Sequence, residues 1–173
     1  MIFVTVGTQK FPFDRLLHYI DQLIEKEIIQ EEVFAQTGFS SYQPLHYSFQ
    51  KFLDSSDFKQ KMINSNLVIT HGGTGSIMNA IKAKKRVIAV ARKKEYGEHI
   101  DNHQEEIIHQ LTEKKLILGV KQLEDLDGVI DSYQINEIVQ YTSNTEDIIE
   151  SIESYLFQVM MERKVENGGK PGE

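Results

Sequence analysis

Apolar and polar positions change in blocks along the chain, and the blocks alternate between two kinds. Short runs of apolar and β-branched residues at Ile2 to Val6, Val33 to Thr37, Leu67 to Thr70, Val87 to Ala91 and Leu116 to Val120 predict strands buried on both faces, as in a parallel sheet. A weaker run, Phe49 to Leu53, predicts one more short strand. Between the strands, apolar residues recur at helical spacing. Leu16, Leu17, Ile20, Leu23 and Ile24 mark one face of a helix opened by Asp14, Asp57 to Asn64 predicts a short helix, and Ile77, Met78 and Ile81 begin another near Ser76. Ile107, Ile108 and Leu111 give the buried side of a helix from about Asn102 to Thr112. Further on, Ser143 and Glu146 fit a capping box ahead of Ile148, Ile149, Ile152, Tyr155, Leu156 and Val159, one face of a long helix.

Strands alternating with helices over this length predict an α/β fold: a single Rossmann-like open parallel sheet with helices on both faces. Residues 1–163 form one domain on this reading, and the polar, glycine-containing tail 164–173 is expected to be disordered. In such sheets ligands sit outside the carboxyl ends of the strands. Gly7-Thr8-Gln9 and His71 to Ser76 both follow strands and fall on that edge, and the loop Arg92 to Ile100 leads Asp101-Asn102-His103-Gln104 toward it.

Composition narrows the chemistry. The 173 residues contain no cysteine, which removes disulfides, thiolate catalysis and thiolate zinc sites. A formal net charge of −7 without a sustained basic stripe argues against nucleic acid as a partner. The clusters Lys82/Lys84/Lys85/Arg86 and Arg92/Lys93/Lys94 read as a solvated face beside an anion site, or as a patch that tolerates an acidic membrane surface. No apolar run approaches the ~20 residues of a membrane-spanning helix, so the expected location is cytoplasmic unless a partner moves the chain.

The stretch with most chemistry in it is Leu67 to Ile81, a strand, a turn holding Gly72, Gly73 and Gly75, and a helix. Glycines let the backbone approach a ligand, and the first helical turn leaves N–H groups without intrahelical partners, so a phosphate or diphosphate suits it. The plainer reading is a tight connection with Ser76 as helix cap. No Walker lysine follows Gly75, and the dinucleotide fingerprint fails at its third glycine, where Met78 stands; Arg92 as a contact for a 2′-phosphate leaves NADP a remaining alternative. His99 and His103 lack the order of a zinc-protease motif, and no metal site is expected.

Thr70-His71-Gly72-Gly73-Thr74-Gly75-Ser76, followed some way on by Asp101-Asn102-His103-Gln104 and preceded by Val4-Thr5-Val6-Gly7-Thr8, resembles the donor-binding half of the GT-B glycosyltransferases of family 28, the group that includes MurG. The short length resembles the stand-alone PssE/EpsF-type half-enzymes of exopolysaccharide and capsule synthesis. Asn79 stands where many relatives have a Glu for the nucleotide ribose, and Ala91 where a Pro is common.

The resemblance implies a UDP-sugar as donor substrate and no other cofactor. Gly72, Gly73, Thr74, Gly75 and Ser76 would receive the diphosphate, Gly7 and Thr8 would border the pocket, Asn79 would reach the ribose, and His103 and Gln104 would face the sugar or phosphate. His71 and His103 are the implied catalytic candidates. It further implies inverting transfer of a hexosyl group to a lipid-linked saccharide, with a PssD/EpsE-like membrane-associated subunit supplying the acceptor half and drawing the chain to the inner face of the membrane. Tyr155 to Met161 is a candidate docking surface. The alternative is a non-catalytic nucleotide-sugar-binding accessory subunit.

Overall fold

A computed structural model of the chain describes residues 1–135 and Ile152. The capping box at Ser143, the helix after it, the surface Tyr155 to Met161 and the tail lie outside the described residues.

The strands are β1 (Ile2–Thr5), β2 (Val33–Gln36), β3 (Ser48–Gln50), β4 (Leu67–His71), β5 (Arg86–Val90) and β6 (Leu118–Val120). All pairings are parallel, in the order β3-β2-β1-β4-β5-β6. The helices are α1 (Asp14–Glu25), α2 (Ser55–Asn64), α3 (Thr74–Lys82), α4 (His103–Glu113) and α5 (Leu126–Ile135). Strand order reverses between β1 and β4, whose carboxyl ends carry Gly7 and His71, so the switch point where open α/β sheets bind ligands falls between the two turns picked out in the sequence.

The two faces of the sheet are covered by different helices. Ile2, Val4 and Val6 share one core cluster with Leu16, Leu17, Ile20 and Leu23 of α1 and with Leu126 and Ile130 of α5. Phe3 points the other way, as strand alternation requires, and meets Phe58 of α2 edge to face at 5.4 Å between ring centroids.

Several sequence expectations are adjusted. Asp14 does open α1, but its carboxylate does not cap that helix: it accepts Ser41 N–H (2.8 Å), Ser41 Oγ–H (2.6 Å) and Tyr42 N–H (2.9 Å), tying down the loop after β2. Helix α3 begins two residues before Ser76, with Gly73 at the cap position and no side-chain cap. The cap reading of Ser76 therefore fails, because Ser76 is already in the first turn. Helix α5 is not marked in the sequence, since Gly128 within it is a poor helix former and its apolar periodicity is short. Arg92, assigned to a solvated cluster, is fully buried.

Candidate functional site

The turn between β4 and α3 is built around the His71 imidazole. Nδ1 of His71 accepts the Gly73 N–H at 3.1 Å. A Cβ on Gly73 would lie 2.1 Å from His71 Cε1, and one on Gly7 would lie 2.5 Å from Nε2, so both glycines are required by contact with this ring. Gly7 also has φ of +76°, open to glycine at no steric cost. Because Nδ1 is an acceptor, the proton of the neutral ring sits on Nε2, on the side facing Gly7. Burial, reinforced by Arg92 and His99, pushes the His71 pKa down to about 3 against a side-chain hydrogen bond with Gln104. His71 is thus a neutral Nε2–H donor at physiological pH, not a base.

Gln104, at the start of α4, fastens the turn from the other side. Its Oε1 accepts the N–H of Gly72 (3.0 Å) and of Arg92 (3.2 Å), and a Cβ on Gly72 would stand 2.6 Å from Gln104 Cβ. Arg92 extends the same scaffold. Its Nη1 donates to the carbonyls of Phe11 (2.7 Å), Pro12 (3.1 Å) and Glu98 (3.1 Å), and its Nη2 to that of Val6. Burial lowers its pKa to about 10, opposed by Glu98, so it stays charged. A guanidinium spent on backbone carbonyls in the interior is not available to a 2′-phosphate, which removes the residue on which the NADP alternative rested.

The N–H groups of Thr74, Gly75 and Ser76 have no hydrogen-bond partner among the described residues, the first bond of α3 being Ile77 N–H to Gly73 O at 3.2 Å. They open on a cleft of about 830 Å³, a size that suits a small-molecule ligand. Gly7, Thr8, His71, Gly73, Thr74, Gly75, Ser76 and Asn79 all line it. A Cβ at Gly75 meets nothing within 4 Å. Gly72, His103 and Gln104 are not among the lining residues.

His103 begins α4 nearby. Its N–H donates to Asp101 Oδ1 (3.1 Å), which also meets His99 Nδ1 (3.0 Å), and its own Nδ1 pairs with Glu106 (2.8 Å). Burial alone would raise the Asp101 pKa, but the His103 N–H and the two imidazoles hold that carboxyl below the usual range. Among the described residues no group of three or more His, Cys, Asp or Glu is placed to hold a metal ion, and no helix is long and apolar enough to cross a membrane.

One wall of the cleft escaped the sequence reading. Helix α2 contributes Ser55, Phe58, Lys59, Met62 and Ile63, with Leu53 and Asp54 just before it. These positions share one helical face, but a face mixing apolar groups with a lysine looks in the sequence like an ordinary half-buried surface. Asp54 is partly engaged, since its carboxylate caps α2 by accepting Asp57 N–H at 2.8 Å.

Comparison with known proteins fits this geometry. Residues 1–157 match the glycosyltransferase family 28 C-terminal domain. The chain is 35% identical over 71 residues to the UDP-N-acetylglucosamine transferase subunit ALG13 of Yarrowia lipolytica, covering 41% of this chain and 34% of that protein. It is 30% identical over 95 residues to the ALG13 subunit of Candida albicans, covering 55% and 27%. The matches thus span about a quarter to a third of the length of these curated relatives. Among solved structures, the fold superposes on MurG of Acinetobacter baumannii (TM-score 0.54, 12% identity, 87% of this chain and 49% of that one). It also superposes on the calicheamicin glycosyltransferase CalG4 (TM-score 0.51, 14% identity, 91% and 43%). With the match running over most of its length and the fold agreeing, the chain belongs to the glycosyltransferase family 28 C-terminal domain family.

Proposed function

We propose that the chain is the donor-binding half of a glycosyltransferase and takes a UDP-sugar in the cleft between α2 and α3. The observation that carries this is the row of unpartnered N–H groups at Thr74, Gly75 and Ser76, opening on a cleft at the switch point of the sheet. The diphosphate lies against these groups, the ribose reaches Asn79, and the nucleobase extends toward Leu53 and α2. His71 donates its Nε2 proton toward the sugar–phosphate end, and His103 lies at the sugar end.

The transfer follows an inverting course. An acceptor hydroxyl oxygen bonds to the anomeric carbon, the bond from that carbon to the β-phosphate oxygen breaks, and the electron pair stays on UDP. The charge forming there is met by the α3 N–H groups and the positive end of the helix dipole, without a bound metal. The hydroxyl proton goes to a general base other than His71, whose lowered pKa and occupied Nδ1 leave it unable to take it.

The other half is a second subunit. The ALG13 relatives are named as subunits, which supports a two-part enzyme. By resemblance it is a PssD/EpsE-like membrane-associated protein presenting a lipid-linked saccharide at the inner face of the plasma membrane, for capsule or exopolysaccharide synthesis.

The test is UDP release by the chain reconstituted with such a subunit and acceptor. We expect release to need both chains and to fall at least about tenfold in His71→Ala, the loss of a donor made to the reacting end. A chain that binds UDP-hexose while release is unchanged by His71→Ala would be an accessory subunit instead.

A further inference from the structure

On the face of the sheet that Phe3 presents to α2, the strands change character at their carboxyl ends. Two residues on from Phe3 comes Thr5, whose register partners on the neighbouring strands are Gln36 of β2 and Thr70 of β4. Strand periodicity turns all three to that same face. All three are buried, and Gln36, only 2% exposed, is nevertheless part of the cleft lining. A buried amide in such a place has to be accounted for bond by bond.

Oε1 of Gln36 accepts the N–H of Leu53 at 3.2 Å, and Nε2 donates to Thr5 Oγ1 at 3.4 Å. Thr5 Oγ1 also accepts the Gly7 N–H at 3.3 Å, so the side chain is tied both to the loop before α2 and to the turn against His71. These bonds fix which end of the amide is which. Turned over, its NH2 group would face the Leu53 N–H, donor against donor. An amide nitrogen carries two hydrogens, and Thr5 takes one of them. The other has no acceptor among the described residues, and the side chain that carries it lines the cleft beside Leu53.

We propose that Gln36 reads the nucleobase of the donor, its second Nε2 hydrogen bonding the O4 carbonyl of uracil. The inference rests on the proposed donor site, in which the base extends toward Leu53. Uracil and cytosine have nearly the same shape and differ at this edge, where uracil offers an accepting oxygen and cytosine a donating amino group. A fixed donor bonds the first and confronts the second with another donor, leaving N–H groups unpaired in a buried place. A site built around such a bond rejects the wrong isostere more strongly than an apolar pocket does. The orientation of Gln36 is set by Leu53 and Thr5 before any ligand arrives, so the selection is built into the folded chain.

The test is calorimetric titration of the full chain with UDP and with CDP, repeated on Gln36→Glu and Gln36→Met. The unsubstituted chain is expected to bind UDP at least about tenfold more tightly than CDP. In Gln36→Glu one carboxylate oxygen keeps the Leu53 N–H and the other presents an acceptor in place of the donor, so the preference is expected to close or reverse. Gln36→Met removes the donor, and UDP affinity is expected to fall to about that of CDP. A merely structural role would weaken both nucleotides alike and keep their ratio. If neither variant folds, the unsubstituted chain still decides through 4-thio-UDP, whose sulfur is a poor acceptor. It is expected to bind at least about fivefold more weakly than UDP, with 2-thio-UDP unchanged. A UDP-to-CDP ratio near one in the unsubstituted chain, a ratio kept by the folded variants, or equal binding of the two thio analogues would each overturn the proposal. UDP binding that Gly75→Ala weakens, with the ratio kept in the Gln36 variants, removes this reading alone; no UDP binding at all removes the donor site with it.

Discussion

Nδ1 of His71 accepts the N–H of Gly73 at 3.1 Å, and this one bond fixes the tautomer of an imidazole that lines the cleft. With burial holding its pKa at about 3, the folded chain keeps His71 neutral where an unfolded chain, near 6.5, binds a proton. Between those values the unfolded state holds more protons, so this residue's contribution to stability is complete above pH 6.5 and is lost as pH falls toward 3. We expect His71→Gln to flatten the loss of stability between pH 7 and pH 4 by about 3 kcal/mol, read from urea unfolding at each pH. A slope unchanged by the substitution would mean that His71 titrates normally.

Two glycines of the turn, Gly73 and Gly75, two positions apart, should behave in opposite ways. Gly73→Ala drives a methyl into the His71 ring, where the nearest atom is 2.1 Å away, and should cost about 1–3 kcal/mol. Gly75→Ala meets open space in a helical turn and should stabilise the fold by about 0.4–1 kcal/mol. The same methyl enters the space assigned to the diphosphate, so UDP affinity is expected to fall about tenfold while the melting temperature rises.

Gln104 carries a structural load that its position beside His103 conceals. Its Oε1 serves two buried N–H groups, those of Gly72 and Arg92, and Gln104→Leu leaves both without a partner. We expect a loss of about 2–4 kcal/mol in chemical unfolding, larger than for any surface change on α4. A loss under 1 kcal/mol would indicate that other groups can take over these bonds.

Helices α1, α3 and α4 end alike. Their chains leave through Glu27, Lys84 and Lys115 in left-handed backbone, with φ of 58°, 55° and 56°. Each turn is closed by a reach-back bond, Ile28 N–H to Leu23 O, Lys85 N–H to Ala80 O and Leu116 N–H to Leu111 O. Glycine is the usual occupant of this position. Lys84→Gly is expected to stabilise the chain by about 0.5–1 kcal/mol, visible as a higher melting temperature.

Those helix ends also explain what the sequence conceals. The strands and their parallel arrangement were legible because their runs are short, apolar throughout and regularly separated. The ends of α1 and α3 were not, since a lysine or glutamate in left-handed backbone carries no mark that a glycine would. The glycine turn was recognisable from residue type and spacing, but its partners were not. Gln104 and Arg92 reach it from distant positions, and only the fold reveals that Arg92 is turned inward to backbone carbonyls. The α2 wall of the cleft was missed for a similar reason, as Lys59 gives no local sign that it lines a cleft rather than facing open water.

The central claim is that the cleft at the α3 N-terminus binds the diphosphate of a UDP-sugar. The direct measurement is calorimetric titration of the chain with uridine, UDP and a panel of UDP-hexoses, beside Gly75→Ala. The account predicts that UDP binds far more tightly than uridine, that one UDP-hexose binds at least as well as UDP, and that Gly75→Ala weakens both nucleotides without unfolding the chain. Equal affinity for uridine and UDP, or UDP binding indifferent to Gly75→Ala, would contradict it.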